Sequence, residues 1–417
     1  MTRRSTALTA ALITAALAVS GCGSEESTSP AAAPSSEAPD SFQAVLEAAK
    51  GQTVDWYMYG GDDRLNGYVN GYVKDRLAEL DITLNQVKIN DTAEAVNKVL
   101  GEKTAGKDED GSVDLIWING ENFATLKQAD AVRCGYVDML PSAQYVDLEG
   151  PGIATDFGTP TEGCEVPWQQ ATSSLVYDST ALTEEDTASV ESLFAWAEAN
   201  PGRFTYPAPP DFTGSMAVRT FFFDAAGGPD AFVEGFDEQA YQEAAPALWD
   251  RLNALEPALW RGGSTYPADQ GEVQALFAGD EIDAYLTYGS SAIGGLVEKG
   301  ELPETTRSAV FDAGNIGNYS FTAIPYNAGD AEAAMVLANL LLSPEAALVN
   351  AGPEGAGFTS AIDLSRLPQE QAAEFERLQQ SPYQVPPADL AAATLPEVSA
   401  EYVNQLEKDW KANVLQQ

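Results

Sequence analysis

Apolar positions between residues 54 and 132 follow two alternating periodicities. Three short runs rich in β-branched and aromatic residues, at 54–59, 82–89 and 113–118, predict strands. Apolar residues at helical spacing lie between and after them, at about 66–80, 93–100 and 122–132, and Asp91 with Glu94 forms a capping-box pattern before the second. Strand and helix therefore alternate three times, which predicts an α/β lobe with a largely parallel sheet.

The first and third predicted strands end in aromatic, glycine and polar residues. Open α/β sheets bind ligands at the carboxyl ends of their strands. Rings offer stacking, glycine gives access to the backbone, and polar side chains orient a ligand by hydrogen bonds. We therefore predict a binding site at these ends, with ordinary loop residues and core aromatics as the alternative. The candidates are Tyr59, Gly60 and Asp62 on the first strand and Trp117, Asn119 and Glu121 on the third.

In the second half of the chain, predicted strands and helices alternate less regularly. An extended segment through Trp168 precedes a predicted helix at 190–199 and a short strand at 204–206 that contains Tyr206. The following loop carries Asp211 and opens a helix, whose first N–H groups could hold a polar or anionic ligand group. Ordinary capping by Asp211 or Thr213 is the alternative.

Three further patterns complete this half. Residues 270–289 indicate helix, turn and strand ending at Tyr288, and 321–327 indicate a short strand. The nearly wholly apolar stretch 331–342 predicts a buried helix. From about residue 361 the pattern is helical with proline breaks.

The N-terminus has the pattern of a secretory signal. Arg3 and Arg4 precede an apolar run at 7–19, which is shorter than the ~20 residues of a membrane-spanning helix. Small residues before Cys22 resemble a bacterial lipobox, so we predict cleavage of residues 1–21 and diacylation of Cys22. An ordinary signal peptide and twin-arginine export are the alternatives.

Residues 22–49 are rich in serine, proline and alanine, and we predict that they form a disordered tether. The protein would then be held on the extracytoplasmic face of the cell membrane by its lipid alone.

The amino-acid composition limits the kinds of ligand, catalysis and metal site that are compatible with the chain. The chain has 22 Lys+Arg against 63 Asp+Glu, a formal charge of −41, which disfavours nucleic acid and favours cationic solutes. Surface acidity inherited from the source's habitat or genome is the alternative explanation. The chain contains no histidine, which excludes Ser-His-Asp and Cys-His catalysis and histidine zinc sites. We predict neither enzyme activity nor a cofactor or metal, although paired carboxylates could still perform acid–base chemistry.

Two cysteines remain beyond Cys22. In an exported protein, Cys134 and Cys164 are most simply interpreted as one disulfide, with free buried thiols as the alternative.

The chain resembles the type II solute-binding proteins of ABC importers, and within them the thiamine-transport-like group. Three motifs carry the resemblance: Asp-Thr-Ala-Glu-Ala-Val at 91–96, Val-Asp-Leu-Ile-Trp-Ile-Asn-Gly-Glu-Asn-Phe at 113–123, and Pro-Gly-Arg-Phe-Thr-Tyr-Pro-Ala-Pro-Pro-Asp-Phe at 201–212. It extends over nearly all of residues 50–417, the later parts matching only in pattern.

The resemblance implies a two-lobe periplasmic-binding-protein-like fold in which strands cross twice between the lobes and a cleft closes over the solute. The first lobe would comprise 50–172 and 284–322, and the second 173–283 and 323–417. The protein would act as a monomer with permease and ATPase partners. Matching positions add second-lobe and crossing residues to the predicted pocket: Trp168, Tyr206, Asp211 and Tyr288.

Iron-binding relatives use adjacent tyrosines, often with histidine, and this chain has neither, which argues against ferric iron. Several rings and carboxylates suit a flat cationic heterocycle such as thiamine. Polyamines, sugars and phosphorylated compounds remain alternative ligands. An extracellular carboxylate-dependent hydrolase and a sensory lipoprotein are the alternative functions.

Overall fold

The computed structural model describes residues 41–415, apart from 151, 234, 290–291, 353–354 and 379. The predicted signal peptide, Cys22 and the tether up to residue 40 lie outside the described residues. Residues 40–417 form one compact unit. That unit begins earlier than predicted. Residues 42–48 form a helix capped by Ser41, and Val45 and Ala49 are buried in the hydrophobic core that also contains Trp56, which we call the first core. The tether prediction is therefore wrong for residues 41–49.

The described strands, in chain order, are β1 (Thr53–Tyr59), β2 (Thr83–Ile89), β3 (Leu115–Ile118), β4 (Thr155–Asp156), β5 (Thr159–Pro160), β6 (Glu165–Thr172), β7 (Ser174–Asp178), β8 (Ala284–Thr287), β9 (Thr306–Ala309), β10 (Asn315–Ala323), β11 (Thr359–Ser360) and β12 (Thr394–Leu395).

The described α-helices are α1 (Phe42–Ala48), α2 (Asp63–Tyr68), α3 (Lys74–Ala78), α4 (Ala93–Thr104), α5 (Gly120–Gln128), α6 (Val190–Ala199), α7 (Phe212–Ala226), α8 (Glu238–Leu255), α9 (Gln270–Ala278), α10 (Ile293–Glu298), α11 (Ala331–Leu341), α12 (Pro344–Ala351), α13 (Gln369–Leu378), α14 (Pro387–Ala392) and α15 (Ala400–Trp410). One π-helical turn, Val69–Val73, joins α2 to α3.

The larger sheet has the order β11-β6-β10-β3-β1-β2, with β12 paired to β10. β1 runs parallel to β2 and β3, as the strand–helix alternation predicts, and β10 is antiparallel to β3 and β6. Trp56 at the centre of β1 is fully buried and packs edge-on against Trp168 of β6, with ring centroids 5.6 Å apart. α11 is buried in the same core, as its apolar sequence predicts.

The smaller sheet has the order β8-β7-β9, with both pairings antiparallel. α6, α7, α8 and α15 pack around it and form a second core that contains Tyr402 and Trp410. Residues 204–206 form only an isolated bridge, from Phe204 to Ala284, in place of the predicted strand.

These two sheets correct the predicted lobe boundaries. β8 pairs with β7 in the smaller sheet, so the chain returns to the larger sheet only between β9 and β10, and not at residue 284. α11 packs against β1 and α1, which places residues 331–341 in the first lobe instead of the second. The chain crosses again between α13, which packs on α12, and α15 in the second core. We use "first lobe" for the elements around the larger sheet and "second lobe" for those around the smaller one.

No single helix among the described residues is long and apolar enough to cross a membrane; α11 and α12 meet the length and composition criteria only as a pair bent by 61°.

Cys134 and Cys164 are joined by a disulfide in the first lobe, closing a loop across a separation of 30 residues. A loop of this length restricts the unfolded chain enough to stabilise the fold by about 3 kcal/mol.

We expect the Cys134→Ser, Cys164→Ser double variant to lose about 3 kcal/mol of unfolding free energy, because its unfolded chain regains the loop entropy. Urea unfolding of the compact unit measures this, and the wild type under reducing conditions is the matched control, expected to lose the same amount. An unchanged unfolding midpoint in both would contradict the prediction.

Candidate functional site

The carboxyl end of β1 faces the second lobe. Tyr59 is 37% exposed at this end, and Asp62 caps α2 by accepting the N–H groups of Arg64 (2.8 Å) and Leu65 (3.0 Å). Partial burial, with the charges of Asp269, Asp211 and Asp62, raises the pKa of the Tyr59 hydroxyl. Since Asp211 and Asp269 belong to the second lobe, a tyrosine of one lobe and two carboxylates of the other lie close together in the cleft.

Both second-lobe carboxylates cap helices. Asp269 accepts the Glu272 N–H at the start of α9, and Asp211 accepts the N–H groups of Thr213 (3.0 Å) and Gly214 (2.9 Å) at the start of α7. Capping by Asp211, the alternative left open by the sequence, is therefore observed. Burial, assisted by Asp269, raises the pKa of Asp211 to about 6 even though its two hydrogen bonds oppose the shift.

The end of β3 turns sharply into α5. Asn119 donates its amide to the carbonyl of Tyr319 on β10, and Gly120 has a positive φ of 59°. The Gly120 N–H donates to the buried carboxylate of Asp156 at 2.5 Å. This turn presents Glu121, whose pKa is raised by burial and is influenced in opposite senses by Arg219 and by Glu397.

A buried ion pair lies opposite Glu121. Arg219 of α7 and Glu397, before α15, have side chains only 1% and 4% exposed. The guanidinium makes two hydrogen bonds to the carboxylate, Nε to Oε2 at 2.9 Å and Nη2 to Oε1 at 3.0 Å. Tyr288, just beyond β8, donates its hydroxyl to Glu397 and accepts from Arg219 Nη2 at 3.2 Å. The predicted site residue Tyr288 is thus held by both members of the pair.

Further polar groups extend this cluster. Arg219 Nη1 donates to the Ser215 hydroxyl at 2.8 Å, and that hydroxyl donates to Glu407 of α15 at 2.7 Å. Burial raises the pKa of Glu407, and nearby Glu121 adds to the shift. Asn318 of β10 donates its amide to Glu397 at 3.3 Å, which ties the cluster to the first lobe.

Carboxyl groups outnumber cationic groups in this region. The Arg219 guanidinium is paired with Glu397 and interacts with nearby Glu121 and Glu407, while Asp156 lies close to Glu121 and Glu397. Two rings border the same region: Phe212, 47% exposed, stacks on Tyr288 with centroids 5.2 Å apart. In general, carboxyl groups can balance the charge of a bound cation, and aromatic rings can cover its faces. Among the described residues no cluster of three or more His, Cys, Asp or Glu side chains could hold a metal ion.

Two predicted site residues lie in the cores. Trp168 is 2% exposed, packed against Trp56 and Trp117, so it supports Trp117 and has no free ring face. Tyr206 is fully buried and accepts a hydrogen bond from the Trp410 indole at 3.1 Å. Both side chains are buried among other rings in this conformation, so direct ligand contact by them stays a prediction. A buried aromatic next to a predicted strand end gives the same sequence pattern as a cleft aromatic.

Arg219, Glu397 and Glu407 were not among the site residues predicted from the sequence. Arg219 and Glu397 are 178 residues apart and share no local motif. One signal was available for Arg219: it is the only charged side chain from residue 212 to residue 223 of α7, a stretch that is otherwise uncharged and rich in aromatic residues. A lone buried charge of this kind requires a partner from elsewhere in the chain.

The amino-acid sequence matches a known protein family. The family model described as "bacterial extracellular solute-binding protein" matches residues 71–373. Protein YnjB of Escherichia coli (strain K12) is 36% identical over 369 residues, covering 88% of this chain and 92% of that protein.

Two solved structures share the fold. The spermidine/putrescine ABC transporter substrate-binding protein PotD of Streptococcus pneumoniae matches with a TM-score of 0.61 and 16% identity, covering 87% of this chain and 99% of that one. A periplasmic thiamin binding protein matches with a TM-score of 0.57 and 18% identity, covering 87% and 96%. These likenesses confirm the predicted two-lobe α/β fold.

We expect Asp211 to make stability depend on pH. Its folded-state pKa of about 6 lies above its ordinary value of 3.8, so its contribution is fully present below pH ~4 and is lost as the pH rises through 6. Asp211→Asn keeps the helix cap but cannot ionise, and above pH 6 it should be more stable than the wild type by up to about 3 kcal/mol, with the difference vanishing at pH 4.

Urea unfolding between pH 4 and 8 measures this effect. Asp237→Asn is the matched control, because Asp237 caps α8 in the same way at an exposed position and should show a much smaller difference. Equal pH profiles for the wild type and Asp211→Asn would show that Asp211 ionises freely.

Proposed function

Because the chain belongs to the bacterial extracellular solute-binding protein family, we propose that it captures a small organic cation in the interlobe cleft and delivers it to an ABC importer. The family is extracytoplasmic and works with permease and ATPase subunits. The observation that carries the ligand class is the excess of carboxyl groups around Arg219, facing the Phe212–Tyr288 ring pair. The predicted positions Tyr59, Asp62, Glu121, Asp211 and Tyr288 supply the remaining polar contacts.

Within this class the cleft favours a thiamine-like cation. A flat charged ring could stack on Phe212 and Tyr288, each ring–cation contact contributing about 0.5–2 kcal/mol, while Glu121 balances its charge. A linear polyamine would use the same carboxylates but gain less from the rings. The structurally similar proteins include one of each kind by name, a thiamin binding protein and a spermidine/putrescine binding protein.

We expect thiamine to raise the melting temperature of residues 40–417, tested beside its phosphates, spermidine, sugars and amino acids. A ligand at ~100 times its Kd stabilises its protein by about 2.7 kcal/mol, a shift of several degrees. Glu121→Gln should weaken binding about ten-fold or more, because a hydrogen bond to a charged group contributes about 1.5–3 kcal/mol.

Glu370→Gln is the control, since it removes the same charge from an exposed position on α13. Stabilisation by spermidine alone would favour the polyamine alternative. Stabilisation by a sugar or an anion, with none by any cation, would overturn the proposed ligand class.

We also propose that the protein is anchored through Cys22. Metabolic labelling with a fatty acid should mark the wild type, because diacylation requires the Cys22 thiol, and should not mark Cys22→Ser. Cys134→Ser, which leaves Cys22 in place, should be labelled like the wild type. A labelled Cys22→Ser variant would contradict the lipobox interpretation.

A further inference from the structure

A short hairpin of the first lobe reaches into the second lobe. Strands β4 and β5 form it, and we call residues 155–160 the interlobe hairpin. Its base is held in the first lobe: Ile153 belongs to the first core, and the Thr161 N–H donates to the Ala154 carbonyl at 3.0 Å. Its tip residue Phe157 is 5% exposed and belongs to the core of the second lobe.

The tip is bound to the second lobe by specific contacts. The Ala400 N–H, at the start of α15, donates to the Phe157 carbonyl at 3.1 Å. Gly158 packs so closely on Ser399 that an added Cβ would lie 3.3 Å from the serine Cβ. The Ser399 N–H in turn donates to the Phe232 carbonyl at 3.0 Å, which fixes the docking surface within the second lobe.

The same hairpin also contacts groups from both sides of the cleft. Asp156 accepts the Gly120 N–H, in the turn that presents Glu121. The Phe157 ring lies against that turn, where a Cβ on Gly120 would be 3.2 Å from the ring. The guanidinium of Arg219 lies over the other side of the hairpin, 5.5 Å from the Phe157 ring centroid.

The hairpin carries features that cost stability. Phe157 has a φ of 44°, in the left-handed region that side chains other than glycine rarely adopt. One oxygen of Asp156 and both oxygens of nearby Glu165 are buried without a hydrogen-bond partner among the described residues. Such features persist where the surrounding structure enforces them, and they are common at functional sites.

We propose that Asp156 and Phe157 are positioning residues that set the placement of Glu121 relative to Arg219 across the cleft. Asp156 fixes the Gly120–Glu121 turn of the first lobe, while Phe157 packs on Arg219 and docks in the second lobe. These two adjacent residues therefore couple the first-lobe carboxylate to the second-lobe ion pair. The coupling is a property of the protein alone and does not depend on the identity of the ligand.

Residue-resolved hydrogen exchange of the whole chain tests this proposal without any ligand. Phe157→Ala should speed exchange about ten-fold or more at two amides, Ala400 and Gly120, because both donate to the hairpin tip. Amides within the β1–β2 pairing should exchange as in the wild type. If Phe157→Ala does not fold, Phe157→Leu should give a few-fold acceleration at the same two amides.

Phe232→Ala is the matched control. Phe232 lies in the same second-lobe core, packed on Phe222 and Tyr402, but it makes no described contact with the Gly120 turn. Phe232→Ala should speed hydrogen exchange at the amides of Ser399 and Ala400 and leave the exchange rate of the Gly120 amide unchanged. The proposal is overturned if the folded Phe157 variant leaves Gly120 protected, or if Phe232→Ala accelerates Gly120 to the same extent.

Discussion

The buried ion pair between Arg219 and Glu397 is the interaction on which the geometry of the cleft depends. A guanidinium removed from water is tolerated only when its charge and its N–H groups are matched, and leaving one partner alone costs about 3–5 kcal/mol. The pair therefore holds α7 against the segment that leads into α15. Through Tyr288 and Asn318 it also fixes the end of β8 and the middle of β10. Four parts of the chain that are distant in sequence meet there, because the buried guanidinium needs partners for its charge and its N–H groups.

The buried carboxyl groups of the cleft differ in their effect from the acidic residues exposed on the surface of the chain. A formal charge of −41 is a property of the whole chain, and exposed acids interact weakly across a salt solution. Glu121, Glu397 and Glu407 are shielded from solvent, where charges interact more strongly and screening is weaker. The excess of carboxyl groups at the cleft is thus a local feature, whatever the origin of the surface acidity.

Much of the first lobe could be predicted from the sequence because its signals are local. β1, β2 and β3 alternate with helices at clear periodicities. In the second lobe, capping of α7 by Asp211 was one of the alternatives that the sequence left open. The lobe boundary was not predictable in this way, because nothing local in β8 or β10 indicates which sheet each joins, and only pairing across the fold assigns them to different sheets. For the same reason Trp168 and Tyr206 could not be told from cleft residues, since burial of an aromatic is decided by partners such as Trp56 and Trp410 that lie far away in sequence.

The position of α15 has a consequence for the order in which the protein acquires its structure. Tyr402 and Trp410 pack in the centre of the second lobe, against residues such as Phe222 and Tyr206 that are synthesised nearly two hundred positions earlier. The second core therefore cannot be completed until α15 has been made. Contacts this distant in sequence also form slowly, so the second core stays incomplete at least until α15 has been made. For a member of an extracytoplasmic family, late completion keeps the chain in a form that can still be threaded across a membrane.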